Sequence, residues 1–310
     1  LESHKKLSNT TENIAYKICE ELDFDILLTG HQHLPVANMT LHGTHIAQTP
    51  HNGSKFLELK LTLENHKLNI VSELKSLEVN PNKEMYDKFL PLEEKVQEWL
   101  DTPVGFLDTE LQPTTHLDMA LKGSSLANFI NQIQLDISQA DIACTSFANV
   151  IKGFSTNVTV RDILSTYPYP NTLVILEVNR EILKLALERS ASYFANNNGD
   201  ITISESFLKP KVEHYNYDYF ANIEYTFDLN NEVGNRVTSI KYKGEELSEH
   251  KTLTLVMNNY RASGAGGYEF YENCTVTKEI LTEMPEIIIN YFKNNPKVKV
   301  DNSKYLTVIL

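Results

Sequence analysis

An apolar run, Leu253-Thr254-Leu255-Val256-Met257, opens directly into Asn258-Asn259-Tyr260-Arg261-Ala262-Ser263-Gly264-Ala265-Gly266-Gly267-Tyr268. The run has the length and composition of a buried strand, so the chain must hold a sheet with at least one strand ending in a sharply turning loop. Glycine accepts positive φ and lets other groups come close to the backbone. With Tyr260 and Tyr268 on either side, the loop reads as a pocket floor with an aromatic wall. A plain glycine turn at a strand end fits the same residues equally well.

The rest of the chain interleaves helical and strand patterns without a regular repeat, which predicts an α/β or α+β fold with a mixed sheet. Helical spacing is read over 11–22, with Thr10 or Thr11 as cap, and over 83–100, 124–137, 180–195 and 278–294, with a short helix starting in 159–164. Strands are read at 24–28, 44–49, 55–63, 66–79, 141–145, 172–178 and 252–257. A hairpin pairs 223–229 with 237–243. The helix at 83–100 carries the only tryptophan, Trp99, and stands between the polar breaks Asn80-Pro81-Asn82 and Asp101-Thr102-Pro103, as a helix joining two domains would.

A formal net charge of −13 argues against a nucleic-acid polymer as partner, because phosphate backbones are bound by clustered Lys and Arg. A small anionic substrate stays open if metal ions supply the positive charge. The three cysteines, Cys19, Cys144 and Cys274, form no Cys-x-x-Cys and read as buried thiols. No run of apolar residues is long enough to span a membrane. The sequence begins at Leu1 and enters a helical pattern almost at once, the beginning expected of a fragment, so the lack of a leader says nothing about location.

Thr29-Gly30-His31-Gln32-His33 follows a short apolar strand. Two imidazoles two residues apart in a loop can address neighbouring points of a mononuclear or dinuclear metal centre. His-x-His alone is a weak signal, and surface or hydrogen-bonded histidines fit it as well. His42, His45, His51 and His4 follow no fixed spacing and read as ordinary polar residues.

Several blocks in order carry a resemblance. Asp25-Ile26-Leu27-Leu28-Thr29-Gly30-His31-Gln32-His33 resembles the last metal-binding motif of the calcineurin-like metallophosphoesterases, and Thr11-Glu12-Asn13 the helix before it. Gln48-Thr49-Pro50-His51-Asn52-Gly53-Ser54 is similar to the segment that closes that domain in the 5′-nucleotidase family. Val160-Arg161-Asp162-Ile163-Leu164, Tyr167-Pro168-Tyr169-Pro170-Asn171-Thr172, Leu187-Glu188-Arg189-Ser190, His214-Tyr215-Asn216-Tyr217-Asp218 and Asn259-Tyr260-Arg261-Ala262-Ser263-Gly264 resemble that family's C-terminal domain. The chain looks most like the bacterial bifunctional 2′,3′-cyclic-nucleotide 2′-phosphodiesterase/3′-nucleotidase branch.

The resemblance implies residues 1–79 as the end of a metallophosphoesterase αββα sandwich, 80–102 as an interdomain linker helix on which the substrate domain swings, and 103–310 as the substrate-binding domain. It implies a nucleotide base stacked between Tyr169 and Tyr260, with Asn171 touching base or sugar and Gly264 and Gly266 forming the bend behind. Two divalent metal ions, zinc, manganese or similar, would be held by Asp, His and Asn ligands. Of these only His31 and His33 are matched, so no catalytic residue is expected in these 310 residues, and the missing N-terminal metallophosphoesterase part is the expected partner. Nucleotides or nucleosides are the expected ligands. An extracellular, periplasmic or cell-wall location is implied likewise. The 5′-nucleotidases carry Phe where Tyr260 stands, Asp where Gly266 stands, and a Gly-rich segment ending in Arg where this chain reads Cys144-Thr145-Ser146-Phe147-Ala148-Asn149. These departures favour the cyclic-phosphodiesterase and 3′-nucleotidase branch, with a 5′-nucleotidase or nucleotide-sugar hydrolase, or a non-catalytic nucleotide-binding module, as alternatives.

Overall fold

A computed structural model describes residues 14–197 and 199–310. Internal contacts divide the chain into two compact units, Leu1–Leu90 and Pro91–Leu310. The division falls inside the helix Lys83–Leu100, which has the bounds its sequence pattern predicts. The expected caps Thr10 and Thr11, the segment Thr11–Asn13 and His4 lie outside the described residues.

The first unit holds a three-stranded sheet in the order Ile26–Thr29, Thr44–Gln48, Val36–Leu41, and a long two-stranded ribbon of Lys55–Glu64 with Lys67–Ser76. Its middle strand, Thr44–Gln48, is buried along its whole length. The strand Val36–Leu41 was not expected; Ala37, Asn38 and Thr40 leave it no alternating apolar pattern to read.

The second unit is built on a five-stranded sheet in the order Tyr219–Ala221, Ile142–Thr145, Leu253–Asn258, Leu173–Val178, Val276–Ile280. Ile142–Thr145 runs parallel to Leu253–Asn258, and the other neighbours are antiparallel. The three central strands are buried almost throughout and predominantly apolar, as strands covered on both faces are. The helix Ser125–Ser138 packs on Ile142–Thr145, and Arg180–Ala191 packs on Leu173–Val178. A four-stranded sheet, a three-stranded sheet and the pair Phe194–Asn197 with Asp200–Ile203 complete this mixed α/β unit among the described residues.

The helix expected over 278–294 forms only as Met284–Asn294, with Pro285 in its first turn. The residues before it form the edge strand Val276–Ile280. Its exposed Lys278 and Glu279 fit helix and edge strand alike, so pattern alone does not separate them.

The register decides where function can sit. Asn258 pairs with Leu173, Ile280 pairs with Leu173, and Tyr219 pairs with Thr145. The exits of Ile142–Thr145, Leu253–Asn258 and Val276–Ile280 therefore share one end of the sheet with the entries of Leu173–Val178 and Tyr219–Ala221. Leu255, fully buried in the middle strand, is the test of this core. Leu255→Ala is expected to cost about 2–5 kcal/mol of stability, measured by urea unfolding.

Candidate nucleoside site

Two loops meet at that end of the sheet. Asn259 N donates to Thr172 O at 2.9 Å, and Thr172 N donates to Asn259 Oδ1 at 3.2 Å. Tyr167 is buried beneath them; burial pushes its phenol up to about 12, against hydrogen bonds with the side chains of Asn171 and Asn258. Asn171 O accepts from Met284 N at 2.8 Å, which ties in the final helix. On this fixed base, Tyr169 and Tyr260 stay 42% and 37% exposed, whereas most tyrosines of the unit are buried. The structure thus brings the loops of Tyr169, Asn171 and Tyr260 together, with both rings partly exposed.

The turn that carries Tyr260 is held from below. Asn258 Oδ1 caps the short helix Asn259–Ala262 by accepting from Arg261 N at 2.8 Å. Arg261, 1% exposed, then points inward. Its Nε donates to both carboxylate oxygens of Asp218 at 3.1 and 2.9 Å, its Nη2 to Tyr215 O at 2.9 Å, and its Nη1 to Ala265 O. The guanidinium lies 4.0 Å from the centroid of the buried Tyr268 ring. Burial opposes its charge, but the Asp218 carboxylate more than offsets this and holds Arg261 protonated. Arg189 adds a second inward cation, over the Phe207 ring at 4.1 Å, with Nε donating to Gly266 O at 3.0 Å.

Gly264 and Gly266 serve this packing. Both have positive φ, +84° and +79°. A Cβ at 264 would lie 2.8 Å from Glu272, and one at 266 would lie 2.1 Å from Asn216 Oδ1 and 2.5 Å from Arg261 Nη1. The missing side chain at 264 makes room for Glu272, and the one at 266 for the buried polar groups of Asn216 and Arg261. An Asp at 266 does not fit this arrangement.

Tyr215, Asn216, Asp218, Arg189 and Arg261 were not read as site residues from sequence. The one available signal was the polar-aromatic block His214–Asp218 ahead of a strand. Asn149 stands in the segment where an Arg was expected in other branches. Its Nδ2 donates to Val212 O at 2.7 Å and its Oδ1 accepts from His214 N at 3.0 Å, so it positions the same block. Next to it is a cleft of about 460 Å³, lined by Pro113, Leu117, Val150, Ile151 and two stacked histidines, His116 and His214, 4.1 Å apart.

In the other unit, His31 and His33 are exposed and both left-handed, φ 68° and 59°, on either side of the buried Gln32. The His33 ring stacks on His51 at 4.6 Å. Gln48 joins the two loops, accepting from Thr29 Oγ1 at 2.8 Å and donating to Leu34 O at 2.7 Å. Among the described residues no group of three or more His, Cys, Asp or Glu could hold a metal ion. These residues alone do not fit a two-metal centre, and no reaction step is derived through one.

The 5′-nucleotidase C-terminal domain family matches residues 103–273, and the chain belongs to that family. A structure of a candidate 5′-nucleotidase from Staphylococcus aureus, in complex with alpha-ketoglutarate, superimposes with a TM-score of 0.87 at 30% identity, covering 96% of this chain and 59% of that one. A trifunctional nucleotide phosphoesterase of Bacillus subtilis is 25% identical over 47% of this chain and 11% of its own length. The 2′,3′-cyclic-nucleotide 2′-phosphodiesterase/3′-nucleotidase of Haemophilus influenzae is 29% identical over 39% of this chain and 20% of its own. The matched part is a minor fraction of each curated relative.

Removing the carboxylate of Asp218 strands the buried charge of Arg261. Asp218→Ala is expected to destabilise the unit by about 3–5 kcal/mol, read from denaturant unfolding.

The histidine pair sets a pH dependence. Burial, and then His116, lowers His214 to about 4 from its ordinary 6.5. Between those values the unfolded chain binds the proton that the folded chain refuses, so stability falls as pH drops through the window. His214→Gln is expected to flatten that part of the urea-midpoint profile against pH.

Proposed function

We propose that the paired loops of Tyr169 and Tyr260 hold the base of a nucleotide between their rings, with Asn171 at base or sugar. The whole protein is then a dinuclear-metal hydrolase of 2′,3′-cyclic nucleotides and 3′-nucleotides, acting outside the cytoplasm in periplasm or cell wall. Membership of the family makes a nucleotide ligand the natural choice. The observation that carries the reading is the reciprocal Asn259–Thr172 bonding, which sets two exposed tyrosines on a common base above the buried Tyr167 and Arg261. A base offers a π face to each ring, and such stacking is worth about 1–3 kcal/mol per base. An amide at 171 can both donate and accept toward base or ribose.

The choice of branch draws support from Gly266, where the packing of Asn216 and Arg261 leaves no room for an Asp. A second reading, hydrolysis of 5′-nucleotides, draws support from the likeness to the Staphylococcus aureus candidate 5′-nucleotidase. His31 and His33 would be this chain's contribution to the metals.

Phosphate release by the whole protein with Mn²⁺ separates these readings. Turnover of 3′-AMP well above that of 5′-AMP is expected. A clear preference for 5′-AMP would refute the branch, and no turnover with intact adenosine binding would leave a binding module. Tyr169→Ala and Tyr260→Ala should each raise KM roughly ten-fold through lost stacking, with the unfolding midpoint unchanged.

A further inference from the structure

Tyr215 is half-buried in the segment that enters the strand Tyr219–Ala221, at the sheet end where both tyrosine loops emerge. Two contacts hold it. Its carbonyl accepts from Arg261 Nη2 at 2.9 Å, and the same guanidinium lies 5.8 Å from the centroid of the Tyr260 ring. Its phenol donates to Glu213 Oε1 at 3.2 Å. Glu213 is itself fixed: Oε2 accepts from Asn216 Nδ2 at 3.0 Å, and Lys211 Nζ stands 3.6 Å from Oε1. Burial, then Glu213, then Tyr260 and Tyr169 raise the Tyr215 phenol.

A phenol has one proton to give and lone pairs to accept with. Once that proton is committed to the Glu213 carboxylate, Tyr215 meets a ligand as an acceptor. Stacking between rings is nearly indifferent to base identity. An acceptor at the edge of the stack is not. A base with an exocyclic amino group offers it a donor, whereas a base with a carbonyl at that position brings a second acceptor and leaves both groups unpaired.

We propose that Tyr215 is the base-selecting residue of this clamp, favouring adenosine and cytidine over their carbonyl counterparts inosine and uridine. The proposal rests on the reading of Tyr169 and Tyr260 as stacking rings. Each comparison pairs bases of equal size, so ring area cancels; the exocyclic group and the ring nitrogen beside it differ, and loss of the ratio in Tyr215→Phe assigns the difference to this phenol.

Isothermal titration of the protein with the four nucleosides tests it, using wild type, Tyr215→Phe and Tyr169→Ala. Wild type is expected to favour adenosine over inosine, and cytidine over uridine, by about five-fold, the worth of one neutral hydrogen bond. Tyr215→Phe keeps the ring and loses the acceptor, and both ratios should fall to about one. Tyr169→Ala should weaken all four nucleosides while leaving the ratios standing. Because the readout is a ratio within each variant, a general loss of affinity does not imitate it. Equal wild-type affinities within each pair, or ratios retained in Tyr215→Phe, overturn the proposal and leave the clamp in place. No nucleoside binding at all, or affinities untouched by Tyr169→Ala, overturn the clamp and this inference with it.

Discussion

Arg261 and Asp218 lie 43 residues apart in sequence and meet at 2.9 Å with almost no exposure to water. Taking two charges out of water is costly, and their attraction compensates only when the remaining donors are also used. Here the guanidinium spends its fork on three groups of two segments: the Asp218 carboxylate and the Tyr215 carbonyl before the strand Tyr219–Ala221, and the carbonyl of Ala265 in the glycine loop. A lysine could not do the same, because a compact ammonium lacks the planar fork that reaches several acceptors in fixed directions. Loops that would otherwise be separate excursions from a sheet end thus become one connected floor.

The glycines belong to that floor. A glycine-rich loop beside aromatic rings invites the idea that a ligand lies against its backbone. At 264 and 266 the space a side chain would fill is instead taken by Glu272, Asn216 and Arg261. The loop is thin so that the interior beneath it can be polar and still close-packed. Asn149 and Asn258 act in the same way, using side-chain amides to fix backbone groups that no strand or helix partner satisfies.

Much of this was legible in the sequence, for identifiable reasons. The strands Ile142–Thr145, Leu173–Val178 and Leu253–Asn258 are largely buried and appear as predominantly apolar runs, which local pattern reads well. The exposed edge strand Val276–Ile280 and the polar strand Val36–Leu41 carry no such pattern and were misread or missed. Tyr169 is singled out through the resemblance and Tyr260 through both the glycine loop and the resemblance, because each sits in a distinctive local block. The pairing of Arg261 with Asp218, and the approach of Tyr215, have no local signature. An inward-facing arginine looks in sequence like any surface arginine, and only the sheet register brings its partner within reach.

Neighbouring residues at the site face opposite ways. Tyr260 lies open while Arg261 is buried, and Tyr169 lies open while Tyr167, two positions before it, is buried. Exposed rings and buried scaffold therefore share the same short segments. Exchanging an outward ring for another aromatic leaves the buried charge and the packed core undisturbed. The surface can vary at these positions, provided the inward residues stay as they are.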